Sequence, residues 1–184
     1  MPWISSSRGA ILPIGRIAPR EEEIHGIGAR ETSGAAPFSS ESSLFMDLRE
    51  TGPFCAHNAV FESALVRSVW PVPRLVPDFL TGKPTSNWGP WMDTLRIYEM
   101  VFPQLSEHNL STLVGLFGLQ AELDSLAAQH CPATRRRYHS ALYDAIACAL
   151  LVANLGRLPG YEGLTTEWLL IQSSGSDAAQ TELF

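Results

Sequence analysis

Two short apolar runs constrain this chain more than any other feature. Phe54-Cys55-Ala56 and Trp91-Met92 each lead into polar residues and then into a helical pattern. The first follows a Thr51-Gly52-Pro53 turn and runs through His57-Asn58 into Ala59–Trp70; the second runs through Asp93-Thr94 into Leu95–Phe102. A strand that feeds directly into a helix is the repeating unit of α/β folds. Only one further, doubtful strand is legible, a strand end that opens residues 12–27 ahead of a loop and a short helix. A two-stranded sheet is marginal alone, so helices must supply most of the core.

The helices are easier to read. A short one ends at Gly26, and Phe45 to about Arg49 has amphipathic spacing. Residues 31–43 read as loop. Pro71, Pro73 and Pro77 break the chain, and residues 80–90 read as another loop. Further helices are expected over Leu110–Phe117, closed by Gly118, over Leu123–Gln129, over Tyr138–Leu155 and over Thr165–Gln172. The whole, 1–184, is expected to be one domain. Residues 1–11 form an irregular N-terminus, 12–155 the core and 156–184 a C-terminal extension.

Apolar residues make up 45% and charged residues 17%, which suits a packed core. A net charge of −6 excludes a binder that works through an overall basic surface, though not local basic clusters. Cys55, Cys131 and Cys148 are too few and too scattered for a disulfide framework, as expected of a reducing cytosol. The N-terminus lacks a basic segment followed by an apolar one. The longest apolar stretch, Ala145–Leu155, falls short of the roughly 20 residues that span a bilayer. A cytoplasmic protein without a membrane partner is expected.

Three constellations carry potential chemistry. In His57-Asn58-Ala59-Val60-Phe61-Glu62, a strand end delivers a polar pair and the next helix a carboxylate. Sites in α/β folds lie at such strand-to-helix junctions. Asn58 also suits a helix cap, and Glu62 also suits a solvated helix face. In His139-Ser140-Ala141-Leu142-Tyr143-Asp144-Ala145, Asp144 interrupts a helix of Ala, Leu, Ile, Cys and Val. A carboxylate there wants a cation unless it faces solvent or an arginine. His139, near the helix start, is close enough to bend toward the same cavity, or is an ordinary cap-region residue. Asp93, between a strand and a helix, is read as a cap. Arg135-Arg136-Arg137 suits either phosphate binding or a solvated charge run. No zinc-ligand spacing, Walker loop, GxGxxG or GxSxG occurs.

Taken in order, HNAxF(E), DTL, HNLSTL followed by Gly118, and HxALxDA resemble the DEDDh-type 3′–5′ exonucleases. That family includes the proofreading subunit of bacterial replicative polymerases and ribonuclease T. Pro13 through Ile27 looks like the segment after the family's third strand, so the resemblance spans roughly residues 12–155. It implies a ribonuclease H-like fold, a mixed sheet flanked by helices. It implies hydrolysis of nucleic-acid phosphodiesters with two Mg²⁺ or Mn²⁺ ions. His139 would be the general base, and Asp144 and Glu62 metal-ligating carboxylates. His57, Asn58 and Phe61 would contact substrate. The implied partners are single-stranded nucleic acid, its 3′ ends, and a polymerase or repair complex.

The chain departs from that pattern in two places. The family's D-x-E motif on the first strand has no counterpart upstream of His57, where the acids are Glu21, Glu22, Glu23, Glu31, Glu41, Asp47 and Glu50. Glu62 stands where the family has Asp. The N-terminal strands are therefore expected to be missing or replaced, through a truncated reading frame or in a diverged, catalytically inactive relative. In either case activity is expected to be impaired.

Overall fold

A computed structural model of the chain describes residues 19–174. The doubtful strand end expected before Pro19, residues 1–11, expected to be irregular, and the last ten residues lie outside the described residues. The first elements are two short helices, α1 (Pro19–His25) and α2 (Ala29–Thr32), with Gly26 at φ +66° closing the first. A 3₁₀ turn over Phe38–Glu41 then leads into α3 (Ser42–Thr51). The segment 31–43, expected as loop, thus contains helical turns. Its Ser and Thr side chains back-bond to carbonyls three or four residues earlier, Thr32 to Gly28 and Ser40 to Pro37, which stabilises tight turns.

Strand β1 (Phe54–Ala56) is followed by α4 (Val60–Val69). A hairpin of β2 (Val76–Pro77) and β3 (Pro84–Thr85) was not legible in the sequence, because its strands are two residues each and contain proline. Strand β4 (Trp91–Asp93) feeds α5 (Thr94–Val101). It pairs parallel to β1 in the register Phe54↔Trp91, Cys55↔Met92, Ala56↔Asp93. Helices α6 (Leu110–Leu116), α7 (Gln120–His130), α8 (Ala141–Leu155) and α9 (Thr166–Ser174) complete the chain. The result is mixed α/β, mostly helical, with two small sheets among the described residues. No helix among them is long and apolar enough to cross a membrane.

Two cores flank the parallel pair. On one side Ile97, Tyr98, Leu113, Val114, Leu123, Leu151 and Leu155 interlock from α5, α6, α7 and α8. The buried Tyr98 hydroxyl donates to Leu151 O at 3.0 Å, so the ring adds apolar area without an orphaned polar group. Leu169 of α9, from the expected C-terminal extension, belongs to this core. On the other side Val66, Trp70 and Trp88 pack with Phe38, Phe45, Phe54 and Trp91. Trp88 Nε1 donates to Trp70 O at 2.6 Å. Arg49 is only 2% exposed and ties α3 to the hairpin segment, donating to Arg74 O and Thr85 O.

The junction between strands and helices rests on Asp93, 4% exposed. Its register partner is Ala56, so its carboxylate reaches the backbone just beyond β1. Oδ1 accepts from Asn58 N at 2.8 Å and Leu95 N at 3.0 Å, and Oδ2 accepts from Ala59 N at 3.0 Å. The cap expected from the sequence is real, and it serves the starts of both α4 and α5. Asp93→Ala should lower unfolding free energy by about 2–4 kcal/mol, because several N–H groups lose a charged acceptor at once. Asp93→Asn, which keeps one oxygen, should cost less. Urea denaturation measures both; an alanine variant as stable as wild type would show that the caps hold nothing.

Candidate active-site cleft

The carboxyl ends of β1 and β4 open into a cleft of about 1040 Å³. This is where α/β folds place ligands. His57, Asn58, Phe61, Glu62, His139 and Asp144, the candidates named from sequence, all line it. Glu62 and Asp144, 82 residues apart in the chain (144 − 62), are close enough for the charge of one to act on the other.

Each side chain reaches the cleft by a definite local route. Parallel pairing carries His57 opposite Thr94, whose Oγ1 lies 3.0 Å from the His57 Nδ1. Burial pulls the His57 pKa below its ordinary value, partly opposed by the charge of Asp93 and a bond to the His108 backbone. Asn58 adopts φ +65°, a left-handed turn that Asn tolerates, and its N–H is held by Asp93. The alternative cap role for the Asn58 side chain is taken by Asp93 instead. Phe61, on the first turn of α4, is 71% exposed, so an aromatic face stands open at the cleft.

Helix α8 begins at Ala141, not at Tyr138. His139 lies before it at φ +67°, a conformation no helix admits, and this turn directs it to the cleft. Its backbone N–H donates to Asp144 Oδ2 at 3.1 Å. Among the described residues Asp144 has no arginine partner, and its Oδ1 is buried without a hydrogen-bond partner. Burial pushes its pKa up, against the lowering influence of the His139 charge and N–H. Glu62 is pushed up as well, chiefly by burial and further by the negative charges of Asp93 and Asp144.

The sequence did not single out His108, Glu99, Tyr138 or the Cys55–Cys148 pair, all of which border the cleft. His108 opens the HNLSTL segment, so the motif carried that signal. Its Nε2 lies 3.0 Å from Phe102 O. Cys55, expected in a buried strand, is exposed, and its Sγ lies 3.4 Å from that of Cys148. Arg135, Arg136 and Arg137 do not line the cleft. Arg136 caps the end of α7 through Cys131 O and Ala128 O, and Arg137 lies against Gly26.

The donor set tests whether a pair of divalent ions fits. Asp144 Oδ1 is free to take a cation, and Glu62 faces the same space. Asp93 is committed to backbone N–H groups. Among the described residues no group of three or more His, Cys, Asp or Glu is arranged to hold a metal ion. Those residues do not fit a two-ion centre. Comparison with protein-family models, curated proteins and solved structures finds no match.

The two raised carboxyls set a pH dependence. Both hold protons to higher pH in the fold than in the unfolded chain, where carboxyls titrate near about 4. Their contribution to stability is present below that value and is lost as pH rises through the raised folded values. Glu62→Gln combined with Asp144→Asn should therefore flatten the fall in Tm between about pH 4 and pH 7, by an equivalent of no more than about 1 kcal/mol given solvent screening. Melting curves across that range check it; an unchanged profile would mean that neither carboxyl is strained by its setting.

Proposed function

We propose that the cleft receives the 3′ end of a single-stranded nucleic acid, on a ribonuclease H-like exonuclease scaffold whose hydrolytic set is incomplete in this chain. The observation that carries this reading is the convergence of His57, Asn58, Phe61, Glu62, His139 and Asp144 on one space. Residues from two distant segments that resemble two exonuclease motifs line the same walls.

The exposed Phe61 ring offers a stacking face for a terminal base. His57 and Asn58 lie within the same opening for the sugar and phosphate. His139, which lines the same cleft as Asp144, would take a proton from an attacking water, as the resemblance implies. In the family, Mg²⁺ or Mn²⁺ supplies water activation and leaving-group stabilisation. Here Glu62 and Asp144, the described carboxylates at the positions of the family's ligands, set at most two negative charges against the four positive charges of two divalent ions and leave them underneutralised. This shortage equally favours the second reading, a non-catalytic nucleic-acid-binding relative of the fold. A cytoplasmic location and a place beside a polymerase or repair complex go with either reading.

Binding of a labelled single strand in EDTA, followed by fluorescence anisotropy, tests the shared part. Phe61→Ala should weaken binding by roughly 5-fold or more, the lower end of a lost base stack. Lowering the pH from about 8 to about 5.5 should tighten it, because the raised Glu62 and Asp144 carboxyls give up negative charge facing the phosphates sooner than ordinary carboxyls do. No binding, or binding indifferent to Phe61, would overturn the proposal. Release of mononucleotides with Mg²⁺ or Mn²⁺ should be nearly nil. Robust release, lost in Asp144→Asn, would show that other acids complete the site.

A further inference from the structure

Cys55 and Cys148 are 93 residues apart in the chain, yet their sulfurs lie 3.4 Å apart. Cys55 sits mid-strand in β1 and is exposed; Cys148 sits on α8 and is 3% exposed, and both border the cleft. We propose that these two thiols form a reversible intramolecular disulfide on exposure to a hydroperoxide. This would join the strand that delivers His57 and Asn58 to the helix that carries Asp144. The proposal does not depend on the nucleic-acid reading of the cleft.

The geometry is close to what the bond requires. A disulfide sulfur pair lies about 2.05 Å apart, so a closure of roughly 1.4 Å suffices from the present 3.4 Å. The third cysteine, Cys131, is buried in the helical core beside Ala127 and Leu123, where it provides an internal reference thiol. The environment of the pair is also asymmetric. Thr94 Oγ1 and Cys55 Sγ each lie 3.4 Å from Cys148 Sγ. Hydrogen bonding from Cys55, and then from Thr94, draws the Cys148 thiol below its ordinary value against the opposing effect of burial, while Cys55 is pushed up.

The chemistry follows from the proximity of the two sulfurs and is the same whichever thiol ionises first. The thiolate of one cysteine of the pair attacks one oxygen of hydrogen peroxide. The O–O bond breaks, and the leaving hydroxide takes a proton to become water, leaving a sulfenic acid. The sulfur of the other cysteine then attacks the sulfenic sulfur and the S–O bond breaks. The departing hydroxide takes the proton of that second thiol as a second water. Two thiols lose two electrons in total, and the peroxide is reduced to two waters.

The full chain, purified reduced, is treated with a small excess of hydrogen peroxide, unfolded and alkylated. One alkylatable thiol, Cys131, should remain of the three. The monomer mass should fall by two hydrogens, and proteolysis should yield a linked peptide pair containing Cys55 and Cys148. Dithiothreitol should restore all three thiols. Neither Cys55→Ser nor Cys148→Ser should give an internal cross-link. Three thiols surviving treatment, oxygen added at Cys55 or Cys148 without a link, or a link through Cys131 would each overturn the proposal.

Discussion

The carboxylate of Asp93 is the interaction on which the cleft depends. Parallel pairing places it beside Ala56, and there it accepts N–H bonds from the beginnings of two helices. Each helix start would otherwise leave donors unsatisfied next to buried residues. With one side chain serving both, β1 and β4 end level with each other. Residues of both following helices line the cleft, Phe61 and Glu62 from α4 and Leu95 and Glu99 from α5. His57 and Thr94, the residues just past that level, meet across it at 3.0 Å.

A two-stranded parallel sheet has little stability of its own, so the flanking cores must hold it. They are of different kinds. The helical side is aliphatic, with Leu and Val from four helices meeting Tyr98. The other side is a run of aromatic rings, with Phe54 and Trp91 at 5.0 Å and Trp70 and Trp88 at 5.9 Å between centroids. Phe54 and Trp91 are register partners on the two strands. Their stacking therefore sets the same register that brings Asp93 to Ala56. Packing at one end of the short strands and capping at the other enforce a single alignment.

Elements with strong local signals were legible in the sequence. Gly118 at φ +67° ends α6, Pro103 follows α5, and Ala-Leu periodicity marks α8. Asp93 as a cap followed from its place between strand and helix. What was not legible depends on tertiary register. The β2–β3 hairpin has no alternating pattern to read. The start of α8 shifts past His139 because Asp144 captures the His139 N–H and favours a left-handed turn over another helical residue. The Cys55–Cys148 approach and the place of His108 in the cleft arise from packing between segments that share no local pattern. The six candidate site residues were legible because they fall in compact motifs, each within a span of a few residues.

Asp93 and Asp144 separate a structural carboxylate from one with capacity to spare. Each clamps the N–H of a residue in the left-handed region, Asn58 in one case and His139 in the other. Such a conformation is uncommon for a side chain with a Cβ and persists where surrounding bonds over-determine it. Asp93 spends both oxygens on backbone donors, so its charge is fully committed to the fold. Asp144 spends only Oδ2, and its Oδ1 lies buried with no donor. An unsatisfied buried acceptor costs free energy, and burial already disfavours its ionised form. Glu62 across the same space adds a second disfavoured negative charge. The fold therefore holds two carboxylates in a setting that a cation or a proton would relieve, and it holds them beside an open aromatic ring and a turn-directed histidine. That arrangement costs stability, and a bound cation or added protons would offset the cost.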